Sequence, residues 1–248
     1  RLNSAGWYYF CVEETYTMPT EKEVYQKYAD QYERLIQRED YQGNLLREIE
    51  KLVSLEALDV VDLGSGTGRL TRLLAPKVRS MRAFDNSVHM LEVAAESLTK
   101  VGLTNWETGV ADHRKIPVQN DSADLIVSGW SFCYLAVWGG EGWKSALDDG
   151  LKEIRRILRP GGSVIIFETM GTGNEKPNPP EHLAGYFEWL AEAGFQSSWL
   201  RTDYQFSSLE EAEELATFFF GEEMGKKVDK ENWQILPECT GVWWRSFD

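Results

Sequence analysis

The chain has 248 residues, enough for one α/β domain with a full core or for such a domain with an appended lid, and its 42% hydrophobic and 27% charged residues are an ordinary globular balance. A formal net charge of −14 would repel a phosphate backbone, so neither DNA nor RNA is an expected partner, and no apolar run approaches the roughly 18 residues of a membrane span. Cys11, Cys133 and Cys239 are an odd number with no C-x-x-C spacing and no paired histidines, which points to neither a disulfide frame nor a metal site. No secretory pattern stands at the start of the sequence given, so the expected compartment is the cytoplasm.

Residues 1–20 are aromatic and irregular, with Trp7, Tyr8, Tyr9 and Phe10 in a row, and pattern alone assigns them no element. Thr20 followed by Glu23 is a capping-box signature, and Val24, Tyr25, Tyr28, Tyr32, Leu35 and Ile36 then recur at helical spacing. A second helix is predicted over 42–52, with Leu45, Leu46, Ile49 and Val53 on its apolar face.

Residues 60–71, VVDLGSGTGRLT, are the centre of the reading. A β-branched run ending in Asp62 and Leu63 predicts a buried strand. Gly64, Gly66 and Gly68 then let the backbone turn tightly and approach a ligand with no Cβ in the way. A dinucleotide fingerprint would need its third glycine at position 69, which is Arg69, so the spacing disfavours a nicotinamide-dependent oxidoreductase.

A helix runs from Arg69 to about Leu74, and a second strand over 81–84 ends in Asp85. Ser87 is a predicted N-cap for a helix that stops near Gly102, and a third strand over 105–111 ends at Asp112 and His113. The fourth strand, 123–128, leads into Gly129 and Trp130. A helix over 143–158 is closed by Arg159-Pro160-Gly161-Gly162, and the fifth strand covers 163–167. After a Gly/Pro/Asn loop at 171–180 come a helix over 181–193 and a strand over 196–206. A helical stretch containing Leu209, Leu215 and Phe218 to Phe220 and a last strand over 241–247 complete the chain.

Strands alternating with helices of this length imply right-handed crossovers and a mainly parallel sheet covered on both faces. Ligands bind such sheets beyond the carboxyl ends of the strands, which is where Asp62, Asp85, Asp112 and residues 128–130 fall.

Taken together, the acid before G-x-G-x-G, Asp85 ending the second strand, Asp112 after the third, the D-L-I-V-S strand and L-R-P-G-G before the fifth resemble the class I S-adenosylmethionine (SAM) dependent methyltransferases. The small-molecule enzymes of ubiquinone and menaquinone biosynthesis are the most similar pattern. The resemblance covers nearly the whole chain from about Glu21. It implies a Rossmann-like, doubly wound, seven-stranded, mainly parallel sheet with an antiparallel C-terminal edge strand, an N-terminal helical lid and a helical insertion between the last two strands. Residues 1–53 are then an arm and lid, and 54–248 the SAM-binding domain, with the insertion near 208–232.

Carried over by position, the resemblance implies that Asp62 and the Gly64, Ser65, Gly66, Thr67, Gly68 loop hold the methionine part of SAM, and that Asp85 takes the two ribose hydroxyls. Asn86, Ser87 and Met90 would border adenine, with Ala111, Asp112 and His113 on its other side. Ser128, Gly129 and Trp130 would lie beneath the departing methyl. Tyr28 and Tyr32, one turn apart in a segment resembling Y-x-x-x-A-x-x-Y-D/E, would cover the cofactor.

Methyl transfer from a sulfonium is an in-line displacement in which the protein mostly positions the reactants. A base is needed only for an acceptor that must lose a proton, and His113 and Glu168 are the candidates. Trp130, Phe132 and Tyr134 are the candidate acceptor contacts. The expected acceptor is a small molecule, and the expected state a monomer or homodimer. A SAM-binding module without turnover and a protein methyltransferase are the alternatives.

Overall fold

A computed structural model describes residues 27–248. The predicted arm, the Thr20–Glu23 capping box, Val24, Tyr25 and Cys11 lie outside the described residues. Helices Ala29–Ile36 (α1) and Asn44–Leu52 (α2) come first. Strand Asp59–Leu63 (β1) and helix Arg69–Leu74 (α3) follow, then Ser80–Asp85 (β2), Val88–Lys100 (α4) and Trp106–Val110 (β3). Strand Ala123–Gly129 (β4) leads through a short helix, Tyr134–Val137 (α5), to Trp143–Ile157 (α6) and Leu158–Thr172 (β5). Helix Ala184–Glu192 (α7), Gln196–Arg201 (β6), Tyr204–Gln205 (β7), Leu209–Phe220 (α8), Glu222–Glu231 (α9), Ile235–Leu236 (β8) and Glu238–Ser246 (β9) complete the order.

Seven strands form one sheet in the order β3-β2-β1-β4-β5-β9-β6. The first five pair in parallel, and β9 runs antiparallel to both β5 and β6. The C-terminal strand is thus the antiparallel one, as expected, but it sits one place in from the edge, with β6 outermost. The predicted strand over 196–206 is interrupted where Asp203 accepts hydrogen bonds from Arg201 Nε at 2.7 Å and from the Glu238 backbone N–H at 2.9 Å. Beyond that break Tyr204 and Gln205 pair with β8 in a separate two-stranded ribbon.

Strand periodicity distributes the core between the two faces. Val60, Leu125, Val127 and Ile165 point to one face, where Leu45 and Ile49 of α2 and Leu70 and Leu74 of α3 cover them. Val61, Ile126, Val164 and Ile166 point to the other, against Leu147 and Ile154 of α6 and Tyr186 and Leu190 of α7. A third, smaller cluster joins Leu35 of α1 to Tyr204, Phe206, Leu215 and Val228, so the inserted helices α8 and α9 pack onto the N-terminal helix. No helix among the described residues is long and apolar enough to cross a membrane.

Candidate functional site

At the carboxyl ends of β1, β2, β3 and β4 lies a cavity of about 190 Å³. The turn after β1 is pinned there by its own backbone: the N–H groups of Gly64 and Ser65 both donate to the carbonyl of Phe84 at the end of β2, at 2.7 and 2.9 Å. Gly64 has φ +69°, and a Cβ on it would overlap Ser131 and crowd His113 Cε1, so only glycine fits.

Asp85 ties the loop from the neighbouring strand. Its Oδ2 accepts from the Gly66 N–H at 2.9 Å and its Oδ1 from the Ser87 N–H at 2.8 Å, while burial raises its carboxyl above the usual range. Asp62, 1% exposed, accepts from Thr71 Oγ1 at 2.7 Å through Oδ2. Its Oδ1 has no partner, and burial pushes its pKa up to about 7. Ser65 Oγ and Thr67 Oγ1 are likewise buried without a partner. Three such atoms, one at the end of β1 and two on the loop after it, are costly unless something bound satisfies them.

Of the residues predicted to touch the cofactor, Tyr32, Asp62, Gly64, Ser65, Gly66, Thr67, Asp85, Asn86, Met90, Ala111, Asp112, His113, Gly129 and Trp130 line this cavity. Four do not. Gly68 instead N-caps α3 with φ +83°, where a Cβ would press on Ala94. Ser87 is the N-cap of α4, its hydroxyl accepting from the Met90 N–H at 3.3 Å. Ser128 is fully buried and donates to the Leu63 carbonyl at 2.8 Å. Tyr28 packs edge-on against Phe218, 5.8 Å between centroids, and Tyr32 lies 5.6 Å from Phe219.

The acceptor and base candidates divide in the same way. Trp130 and Tyr134 line the cavity, whereas Phe132 is fully buried behind His113, 5.8 Å between ring centroids. Trp130 holds φ +50°, a left-handed conformation that is strained for a bulky side chain. Its N–H donates to the Phe167 carbonyl at 2.7 Å, and its ring stacks on Phe167. His113 Nε2 lies 3.0 Å from Ser131 Oγ, and burial lowers its pKa to about 4. Glu168 is away from the cavity; its Oε1 accepts from the Cys133 N–H and the Tyr186 hydroxyl, both at 3.0 Å, and burial pushes its pKa up to about 7.

Asp112 is engaged by its own neighbour. Arg114 forks it with Nε and Nη2, both at 2.7 Å, and holds its carboxyl below the usual range. The sequence reading missed Arg69, Arg114, Ser131, Leu135, Trp138, Gly139 and Ala146, all of which line the cavity. Arg69 was visible only as a missing glycine, and the stretch around Trp138 carries no motif. Among the described residues no cluster of side chains suits a metal, and Cys239 is a free thiol.

The seven-stranded sheet and the glycine loop at its carboxyl edge are similar to those of class I SAM-dependent methyltransferases. Residues 61–166 match the family described as a methyltransferase domain. A malonyl-[acyl-carrier protein] O-methyltransferase from Marinomonas sp. (strain MWYL1) is 33% identical over 138 residues, 54% of this chain and 47% of that protein. A demethylmenaquinone methyltransferase from Lactococcus lactis is 29% identical over 130 residues, 50% of this chain and 46% of that one. The chain thus spans about half the length of these curated relatives. Its fold is shared with a SAM-dependent methyltransferase from Aquifex aeolicus, at a TM-score of 0.52 and 21% identity, covering 80% of this chain and 88% of that one.

Proposed function

We propose that the protein transfers a methyl group from SAM to a small molecule bound against Trp130. The observation that carries this reading is the set of buried, unpartnered polar atoms at the end of β1 and on the loop after it, namely Asp62 Oδ1, Ser65 Oγ and Thr67 Oγ1, beside a carboxylate at the end of β2. They fit the cofactor: Asp62 and the 64–67 loop would hold its methionine part, Asp85 its ribose, and Asn86, Met90, Ala111 and Asp112 its adenine. When bound, SAM supplies an electrophilic methyl on a sulfonium, ready for in-line displacement.

The chain's own residues position and exclude. Tyr32, half-buried against Phe219, closes the N-terminal side, and desolvation raises its phenol well above the usual range, so it stays protonated. Trp130, Tyr134 and Trp138 form the aromatic wall of the remaining space, with Tyr134 and Trp138 stacked at 4.2 Å between centroids. That wall suits an acceptor with a flat apolar portion. His113 is neutral throughout the physiological range. It is suited to orient Ser131 rather than to hold a proton taken from the acceptor.

The test is calorimetric titration with S-adenosylhomocysteine, followed by incubation with methyl-labelled SAM and a fractionated metabolite extract. One labelled small product is expected. Binding without any labelled product would favour a sensor or partner module, and binding of NAD in place of S-adenosylhomocysteine would overturn the reading.

A further inference from the structure

Asp85 and Asp112 both stand at strand ends beside the cavity, but they are held by different means. Backbone N–H groups fix Asp85, those of Gly66 and Ser87. Asp112 is gripped by a neighbouring residue. Arg114 donates to it three times, from its backbone N–H to Oδ1 at 2.9 Å, from Nε to Oδ1 at 2.7 Å and from Nη2 to Oδ2 at 2.7 Å. The Lys115 N–H adds a bond to the Asp112 carbonyl at 2.9 Å, so both residues sit on one short, closed turn after β3. Both line the cavity, and Arg114 has no task in the methyl transfer described above.

The pair is half in solvent, with side chains 45% and 49% exposed. An ion pair so exposed contributes little to stability, because water screens its charge and two side chains must be ordered to form it. What the fork does fix is direction. A planar guanidinium bound to both oxygens of a carboxylate holds it in one orientation. Oδ1 accepts two of the three bonds and Oδ2 one, so Oδ2 is the oxygen with an acceptor position to spare. The ligand group that suits it is a neutral N–H donor, since an anion would be repelled and a carbonyl would meet only lone pairs. An exocyclic amine is such a donor. Without the fork the half-exposed carboxylate would turn freely, and a ligand would have to order it on binding.

We propose that Arg114 is a positioning residue for base recognition, acting through Asp112 by aiming Oδ2 at the exocyclic amine of adenine. This rests on the SAM reading above, which puts adenine at Asp112.

The test pairs S-adenosylhomocysteine with its deamino analogue, which carries purine in place of adenine and lacks only the exocyclic amine. By calorimetry the wild type should favour S-adenosylhomocysteine about 10-fold. Arg114→Ala should weaken S-adenosylhomocysteine roughly 3- to 10-fold and leave the analogue within about twofold, so the preference collapses. Arg114→Lys, which keeps the charge but not the fork, should recover only part of it. In an Asp112→Ala background, Arg114→Ala should have no further effect on S-adenosylhomocysteine. Equal losses for both ligands, additive losses in the double variant or an unchanged preference would each overturn the proposal. Tighter binding of S-adenosylhomocysteine by Arg114→Ala would overturn it too, by showing that the fork competes with the amine. A wild type without any preference would separate Asp112 from the amine and overturn the proposal while leaving the cofactor assignment intact. If the folded wild-type chain binds neither ligand, the SAM reading fails first and this one with it.

Discussion

The two halves of the sheet treat buried polar groups in opposite ways. In the half formed by β3, β2, β1 and β4, acids stand at strand ends, and the end of β1 with the loop after it leaves Asp62 Oδ1, Ser65 Oγ and Thr67 Oγ1 unanswered beside the cavity. In the half formed by β5, β9 and β6, most of the equally buried groups close on one another: Glu168 on Cys133 and Tyr186, Thr169 on one oxygen of Glu238, Thr202 on Thr240; Glu238 Oε2 is left unpaired. A buried acid is therefore a poor marker of a site by itself. What distinguishes the first half is that its unpaired polar atoms cluster at the end of β1 and on the loop after it, on residues that line the cavity. The second half supports it, since Thr202 fixes Glu39, which holds Arg69.

The sharpest way to break this contrast is Gly64→Ala. At φ +69° and with Ser131 in the path of any Cβ, the loop must shift. We expect a loss of about 2–4 kcal/mol in denaturant stability, and S-adenosylhomocysteine binding weakened by more than about 100-fold. Binding within tenfold of wild type would remove the loop from the ligand site. Asp85→Ala comes next. It deletes the acceptor for Gly66 N–H and Ser87 N–H together with the proposed ribose contact, so calorimetry should show affinity falling roughly 10- to 100-fold. Methylthioadenosine, which keeps the ribose, should suffer as much as S-adenosylhomocysteine.

The parallel half was nearly legible in the sequence because each of its features is local. Val60 and Val61 alternate between faces, the glycines follow at once, and Asp85 closes the next short strand, so spacing alone orders the elements. The antiparallel half depends on contacts distant in sequence. Nothing near Thr202 announces that Asp203 will break the strand by accepting from Glu238, or that Tyr204 will pair with Leu236. The same limit hid Arg69 and Trp138 as wall residues and made Phe132 and Glu168 look available. Phe132 follows Trp130 by two positions but turns into the core, where Gly150 of α6 leaves room for its ring.

A smaller effect on binding separates the Asp62 carboxylate from the rest of its loop. Its folded pKa of about 7 lies above the ordinary 3.8, so between those values the folded state binds more protons than the unfolded one. Stability from this group is highest below about pH 4 and is lost as pH rises through about 7. Asp62→Asn removes that penalty. Thermal melts should show the ligand-free variant more stable at pH 8 by about 1–3 kcal/mol, with the gain fading toward pH 4. S-adenosylhomocysteine should bind several-fold more weakly, because the partner for the α-ammonium is gone. Unchanged stability at pH 8 would mean that Asp62 is not a frustrated charge.

Glu238→Gln applies the same chemistry to the other half and should leave binding untouched. Glu238 is 2% exposed, accepts from Thr169 Oγ1 at 2.8 Å and leaves Oε2 unpartnered; burial, reinforced by the charge of Glu39, pushes its pKa up to about 8. At pH 7 the folded protein therefore carries it protonated, close in shape and charge to glutamine, and Arg69 feels no change in field. The variant should gain stability over wild type as pH rises from about 4.5 to about 8, with S-adenosylhomocysteine affinity within twofold at pH 7. A loss of affinity as large as that of Asp62→Asn would show that unpaired polar atoms in the two halves act on one site, and the contrast between them would fail.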